Sequence, residues 1–181
     1  MDQFLEQLAA PTAAPGGGSA ACYAGAMSAA IVEMCAGLAA NKERPGARDI
    51  LEPAADLRRA FVRQAQLDAE AFEAVMAAYR EPKGSPARKE HIALALKGAA
   101  LSPLAALDLV LALASQIRAT EPLVPASARS DWESAVVFAG AAADVAARNV
   151  AINLDGVADG EELKAELAQR QAELSRRLPK V

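Results

Sequence analysis

Asp68 sits where an apolar residue belongs. In the stretch from 49 to about 79, Leu57, Phe61, Val75 and Tyr79 recur at roughly heptad spacing, and Gln64, Asp68 and Phe72 (or Ala71) complete the same seam. A carboxylate withdrawn from water without a partner is costly, or its pKa rises until it is neutral. Such a residue is either a core acid satisfied by a hydroxyl or a lysine, or a base whose raised pKa brings it toward working pH.

Pro15-Gly16-Gly17-Gly18-Ser19 is the second candidate. Three consecutive glycines lose much backbone entropy on folding, so they imply positive φ or a group that comes very close. A loop of this kind opening a helix presents free N–H groups to an anion or a polar ligand edge, although neither GxGxxG nor GxxxxGK[ST] is present. A tight packing turn would use the same residues.

Other polar residues carry less. Arg80 and Lys83, flanking Pro82, follow the Asp68 stretch and could meet an anionic tail or simply solvate a helix end. Lys42 follows the glycine-loop helix and could snorkel from it. Glu33, Asp144, Asn149 and Asn153 lie on or just after apolar stretches and read as buried hydrogen-bonding groups. His91 is the only histidine and falls among Lys and Glu, so a surface position is expected; no metal-ligand spacing is present.

The elements that must position these residues are helices. Residues 2–10 read as a short amphipathic helix stopped by Pro11, and Ser19 can cap a long apolar helix to about Asn41 in which Ala21 and Gly25, and Ala24 and Ser28, allow close approach. A third helix spans 49 to about 79, with Pro53 tolerable in its first turn. Ser85-Pro86 and Ser102-Pro103 each read as an N-cap with a first-turn proline, predicting separate helices near 86–100 and 103–119. Ser130-Asp131-Trp132-Glu133 has capping-box spacing before an apolar helix to about Asn149, and Asp159 to Glu162 repeats it before a charged helix ending near Leu178. No stretch alternates with a two-residue period. The expected architecture is an all-α, single-domain bundle of six to seven helices over residues 1–181, with long central apolar helices.

Bulk properties agree. The chain has 181 residues, 53% hydrophobic but only 4% aromatic, and Ala dominates, which suits closely packed helices. A net charge of -4 with scattered Lys and Arg argues against a nucleic-acid partner. Cys22 and Cys35 lie on one helix about 20 Å apart, too far for a disulfide, and read as reduced thiols of a cytoplasmic protein. Nothing at the N-terminus resembles a signal peptide. Ser19 to Ala40 is long enough to cross a bilayer, but its apolarity is mostly Ala and Gly and no basic cluster flanks it, so a buried helix is expected rather than a membrane span.

Taken in order, Phe4-Leu5, Pro15-Gly-Gly-Gly-Ser-Ala-Ala, Asp68-Ala-Glu-Ala-Phe-Glu-Ala-Val-Met-Ala-Ala-Tyr-Arg, Pro82-Lys83, Ser130-Asp131 and Asn149-Val-Ala-Ile-Asn-Leu154 resemble the cyclodeaminase/cyclohydrolase family. That family comprises the C-terminal domain of formiminotransferase-cyclodeaminase and the stand-alone methenyltetrahydrofolate cyclohydrolases. The resemblance covers nearly the whole chain. It implies an all-helical, dimeric folate enzyme in which the aspartate matching Asp68 is catalytic and the glycine loop helps form the cleft. It also implies a substrate-binding set of Gly16, Gly17, Gly18, Ser19, Lys42, Phe72, Arg80, Lys83, Ser130, Asp131, Asn149 and Asn153, with no cofactor beyond the tetrahydrofolate substrate. A chain with no formiminotransferase domain resembles the cyclohydrolase branch. Cyclodeamination of formiminotetrahydrofolate is the alternative at the same site, and a non-catalytic folate-binding or scaffold protein the alternative of another class.

Overall fold

The structure is a computed structural model that describes residues 1–154 and 157–181. Among them are six α-helices: α1 (Asp2–Ala9), α2 (Gly17–Ala40), α3 (Arg48–Arg80), α4 (Arg88–Thr120), α5 (Arg129–Asn153) and α6 (Gly160–Arg177). Two short 3₁₀ turns, Glu121–Leu123 and Ala126–Ala128, join α4 to α5.

Helices α2 to α5 form an up-down-up-down bundle. The α2–α3 pair is antiparallel, since Gly18 meets Asp68, Gly25 meets Phe61, and Glu33 pairs with Arg58 at 2.9 Å. The α2–α5 pair runs the same way, with Gly17 against Asn149 and Ser28 Oγ donating to the Ala135 carbonyl at 2.7 Å. Small residues make the approach possible: a β-carbon on Gly25 would lie 2.4 Å from Cε1 of the fully buried Phe61 ring. Trp132, at the start of α5, fills the far end of the core and donates its indole N–H to the Ile117 carbonyl at 3.0 Å. Helix α6 packs outside α4 and α5, held in part by Arg170 on Asp108.

Several boundaries differ from those expected, for physical reasons. Arg88 to Thr120 is one helix that passes straight through Pro103. Ser85 and Ser102 are therefore not caps. Helix α2 begins two residues before Ser19, with Gly16 as its N-cap. Ser130 does not cap a helix, since Ala128 is the N-cap of α5; Asp159 is the N-cap residue of α6 as expected, but its carboxylate makes no cap hydrogen bond and instead meets Lys97 at 2.5 Å. Pro53 falls in the second turn of α3 rather than its first. The seam of α3 also rotates toward its end. Ala78 is buried there and Tyr79 is half exposed.

Three segments are long and apolar enough to cross a membrane: Gly17–Ala40, Arg88–Leu123 and Ala126–Asn153. Each has about half of its most apolar window buried within the bundle (50%, 56% and 44%). The outward face of α2 carries Met27, Ile31, Met34 and Leu38 at alternating spacings of four and three, and the two methionines and the leucine are exposed.

Candidate active site

The site is assembled where the N-terminus of α2 meets the middle of α3. Helix α2 opens on glycines, so no side chain of its own satisfies its first N–H groups. Asp68 reaches across from α3 to do so, accepting the backbone N–H of Ser19. The Ser19 hydroxyl lies 3.0 Å from Asp68 Oδ2 and 3.0 Å from the Ala65 carbonyl, so its one proton is shared between two acceptors.

On the other carboxylate oxygen, Ser102 Oγ donates to Oδ1 across 3.4 Å. Gln64 Nε2 donates in turn to Ser102 Oγ at 3.1 Å and to the Ser102 carbonyl at 3.0 Å. Because the Gln64 amide occupies a lone pair of Ser102 Oγ, the hydroxyl proton is left to point at Asp68. The carboxylate thus has donors on both oxygens. Burial nonetheless raises its pKa above the ordinary aspartate value, with the hydrogen bonds from Ser19 and Ser102 opposing that rise. Cys22, one turn further along α2, is pushed up to about 12 by burial and by the charge of Asp68, which makes it an inert thiol.

The glycines act through close approach. None of the loop glycines has positive φ, a conformation the described glycines show only at Gly46. A β-carbon on Gly18 would lie 2.4 Å from Asp68 Oδ1, and one on Gly17 would lie 3.3 Å from Asn149 Nδ2, whereas Gly16 has open space. The carboxylate is therefore seated against the bare backbone of α2.

Asp68 opens on a cleft of about 380 Å³ lined also by Ala13, Ala14, Gly16, Gly17, Gly18, Ala69, Phe72, Ala99, Asn149, Ile152 and Asn153. Phe72, one turn after Asp68, is 38% exposed and offers a flat face on the same side of α3. A second hollow of about 580 Å³, lined in part by Phe4, Tyr23, Ser19 and Glu73, shares Ala14 and Ala69 with it. Phe4 holds α1 in place by packing on Tyr23, ring centroids 4.0 Å apart.

The sequence-derived set divides in three. Gly16, Gly17, Gly18, Asp68, Phe72, Asn149 and Asn153 line one cleft, and Ser19 underpins Asp68. Arg80 and Lys83 are exposed at the end of α3, Arg80 about 18 Å along the helix axis from Asp68. Lys42, Ser130 and Asp131 are not brought to the cleft by this chain. Lys42 follows the opposite end of α2, about 36 Å from its start, and Ser130 and Asp131 lie in the first turn of α5, about 28 Å from Asn149. Asp131 there adds to the burial that raises the Cys35 thiol to about 11. His91 is exposed, its Nδ1 2.7 Å from Glu81. The sequence reads Ser102 as a helix cap and Gln64 as a seam residue, and states neither one's link to Asp68. Both lie one turn or less from residues it had singled out, but only the packing of α4 on α3 reveals their use.

The profile of the formiminotransferase-cyclodeaminase family matches residues 1–173. The chain is 36% identical over 171 residues to the methenyltetrahydrofolate cyclohydrolase of Methylorubrum extorquens, covering 88% of this chain and 81% of that protein. It is 29% identical over 180 residues to the formimidoyltransferase-cyclodeaminase of Sus scrofa, covering 94% of this chain but only 33% of that longer protein. The crystal structure of formiminotetrahydrofolate cyclodeaminase from Thermotoga maritima superposes with a TM-score of 0.87 at 27% identity, over 98% of this chain and 91% of the other. With the family profile spanning nearly all of its length, and one relative above a third identical, this chain belongs to the formiminotransferase-cyclodeaminase family.

Proposed function

We propose that this protein hydrolyses 5,10-methenyltetrahydrofolate to 10-formyltetrahydrofolate, with Asp68 as general base and electrostatic partner of the substrate. The observation that carries this reading is the Asp68 carboxylate, raised in pKa by burial yet held by Ser19 and Ser102 at the wall of an open cleft. The methenyl carbon is an amidinium cation. A carboxylate beside it offsets that charge and accepts a proton from the attacking water, and one C–N bond of the resulting adduct then breaks to leave the formyl group on nitrogen. One water is consumed and one proton released.

The remaining residues follow from the shape of the cleft. Gly17 and Gly18 form its floor, Phe72 offers a stacking face, and Asn149 and Asn153 form the opposite wall. Arg80 and Lys83 stand at a distance comparable to the length of an extended folate and suit its glutamate carboxylates. The cyclohydrolase from Methylorubrum extorquens supports hydrolysis. The Thermotoga maritima neighbour favours a second reading at the same carboxylate, ring closure of formiminotetrahydrofolate with loss of ammonia.

The heptad-spaced stripe Met27, Ile31, Met34 and Leu38 supports association of two copies through α2. Free, buried Cys22 and Cys35 suit a reducing, cytoplasmic setting.

The test is to supply purified protein with each folate separately, following loss of methenyl absorbance in one assay and ammonia release in the other. Rapid loss of methenyl absorbance above the spontaneous rate, without ammonia release from the formimino substrate, is expected. The reverse pattern would replace hydrolysis by cyclodeamination.

A further inference from the structure

Pro103 has no N–H, and inside α4 this deprives the carbonyl four residues earlier, that of Ala99, of its helical donor. Asn153, at the end of α5, supplies one: its Nδ2 donates to the Ala99 carbonyl at 2.8 Å. One turn earlier on α5, Asn149 Nδ2 donates to the Val145 carbonyl at 2.8 Å. In both residues the partner is a carbonyl, which only the nitrogen end of the carboxamide can face. The oxygen ends are thereby fixed as the free ends, and neither accepts a hydrogen bond from a described residue.

Asn149 and Asn153 are four residues apart, so they share one face of α5 with β-carbons about 5–6 Å apart. Both line the cleft onto which Asp68 opens. Gly17 keeps that wall close, since a β-carbon there would reach 3.3 Å from the Asn149 amide nitrogen. The α5 wall of the cleft therefore holds two amide oxygens that take no donor from a described residue, each beside a second, unused amide N–H, and a ligand edge with two neighbouring donors would satisfy both oxygens.

We propose that Asn149 and Asn153 are the specificity residues for the pterin ring, accepting hydrogen bonds from its 2-amino group and N3–H, with Pro103 and Ala99 fixing the orientation of Asn153. This rests on the folate reading of the site. It assigns the aminopyrimidinone edge to the α5 wall and leaves the one-carbon end of the substrate for Asp68. A site built to accept N–H donors rejects an analogue that lacks one, because its oxygen is then left unpaired.

The experiment compares wild type and Asn153→Ala on two substrates, methenyltetrahydrofolate and the same molecule with the 2-amino group replaced by methyl. Wild type should lose about tenfold in kcat/KM on the methyl analogue, roughly the worth of a hydrogen bond in a partly buried site. Asn153→Ala should raise KM about tenfold on the normal substrate with little change in kcat, and should no longer distinguish the two molecules. Equal losses on both substrates would make Asn153 merely a tie between α4 and α5 and overturn the assignment. Melting temperature shows whether the variant is folded; if it is not, Asn149→Ala carries the same comparison. Failure of wild type to turn over either folate would instead overturn the functional reading on which the assignment rests.

Discussion

Gly18 and Asp68 are in such close register that a β-carbon on the glycine would lie 2.4 Å from one carboxylate oxygen and 2.5 Å from the other. Nothing but hydrogen fits between α2 and the carboxylate. The glycine run and the buried acid, 50 residues apart in sequence, are thus two halves of one feature: a helix N-terminus left bare so that an acid from the next helix can seat on it.

Gly18→Ala should therefore displace Asp68 or force α2 outward. Activity should fall at least about 100-fold, with a stability loss of about 1–3 kcal/mol typical of overpacking. Gly98→Ala serves as the control. Gly98 lies in α4 with open space around its Cβ position, so alanine should leave activity intact and raise stability by about 0.5–1 kcal/mol. Steady-state kinetics and thermal melts of both variants check the pair.

Ser102→Ala removes a hydrogen bond that holds the pKa of Asp68 down. Ionisation should then require a higher pH, and the acid limb of the kcat/KM profile should move upward. Ser19→Ala should move it the same way. A shift to lower pH in either variant would show that the acid limb does not report Asp68.

The raised pKa of Asp68 has a thermodynamic counterpart. In the folded chain the carboxyl binds its proton at higher pH than in the unfolded chain, so stability declines as pH rises through the folded-state pKa. Asp68→Asn removes that ionisation. The melting temperature of the variant relative to wild type should be highest near neutral pH, and the difference should shrink as pH falls through the folded-state pKa toward the ordinary aspartate value. Melting curves recorded across that range give the result directly.

If two copies pair through α2, a charge in the middle of its apolar stripe should separate them. Met34 is 44% exposed, so Met34→Glu should leave the core unharmed. Sedimentation at micromolar concentration should show a dimer for wild type and a monomer for the variant.

Much of this was legible in the sequence because the signals are local. A carboxylate within an apolar periodicity and three glycines before an apolar run mark themselves, and the long helices follow from composition and punctuation. Ser102-Pro103 misled for an equally physical reason. A serine followed by proline reads as a helix start, and α4 continues through it only in tertiary context, where Asn153 takes up the carbonyl that the proline leaves free. The same context turns Ser102 from a cap into a donor to Asp68. Lys42, Ser130 and Asp131 lie at the end of the bundle opposite the cleft, which sequence order alone does not state. Once the helices alternate, the end of α2 and the start of α5 must lie opposite the start of α2 and the end of α5.

The most direct test of Asp68 as the catalytic base is hydrolysis of methenyltetrahydrofolate by Asp68→Asn, measured beside wild type with folding verified by melting. A fall in kcat of at least about 100-fold, with KM changed far less, is the predicted result for loss of a general base. Wild-type turnover that survives the substitution would make Asp68 only the cap of α2 and contradict the mechanism.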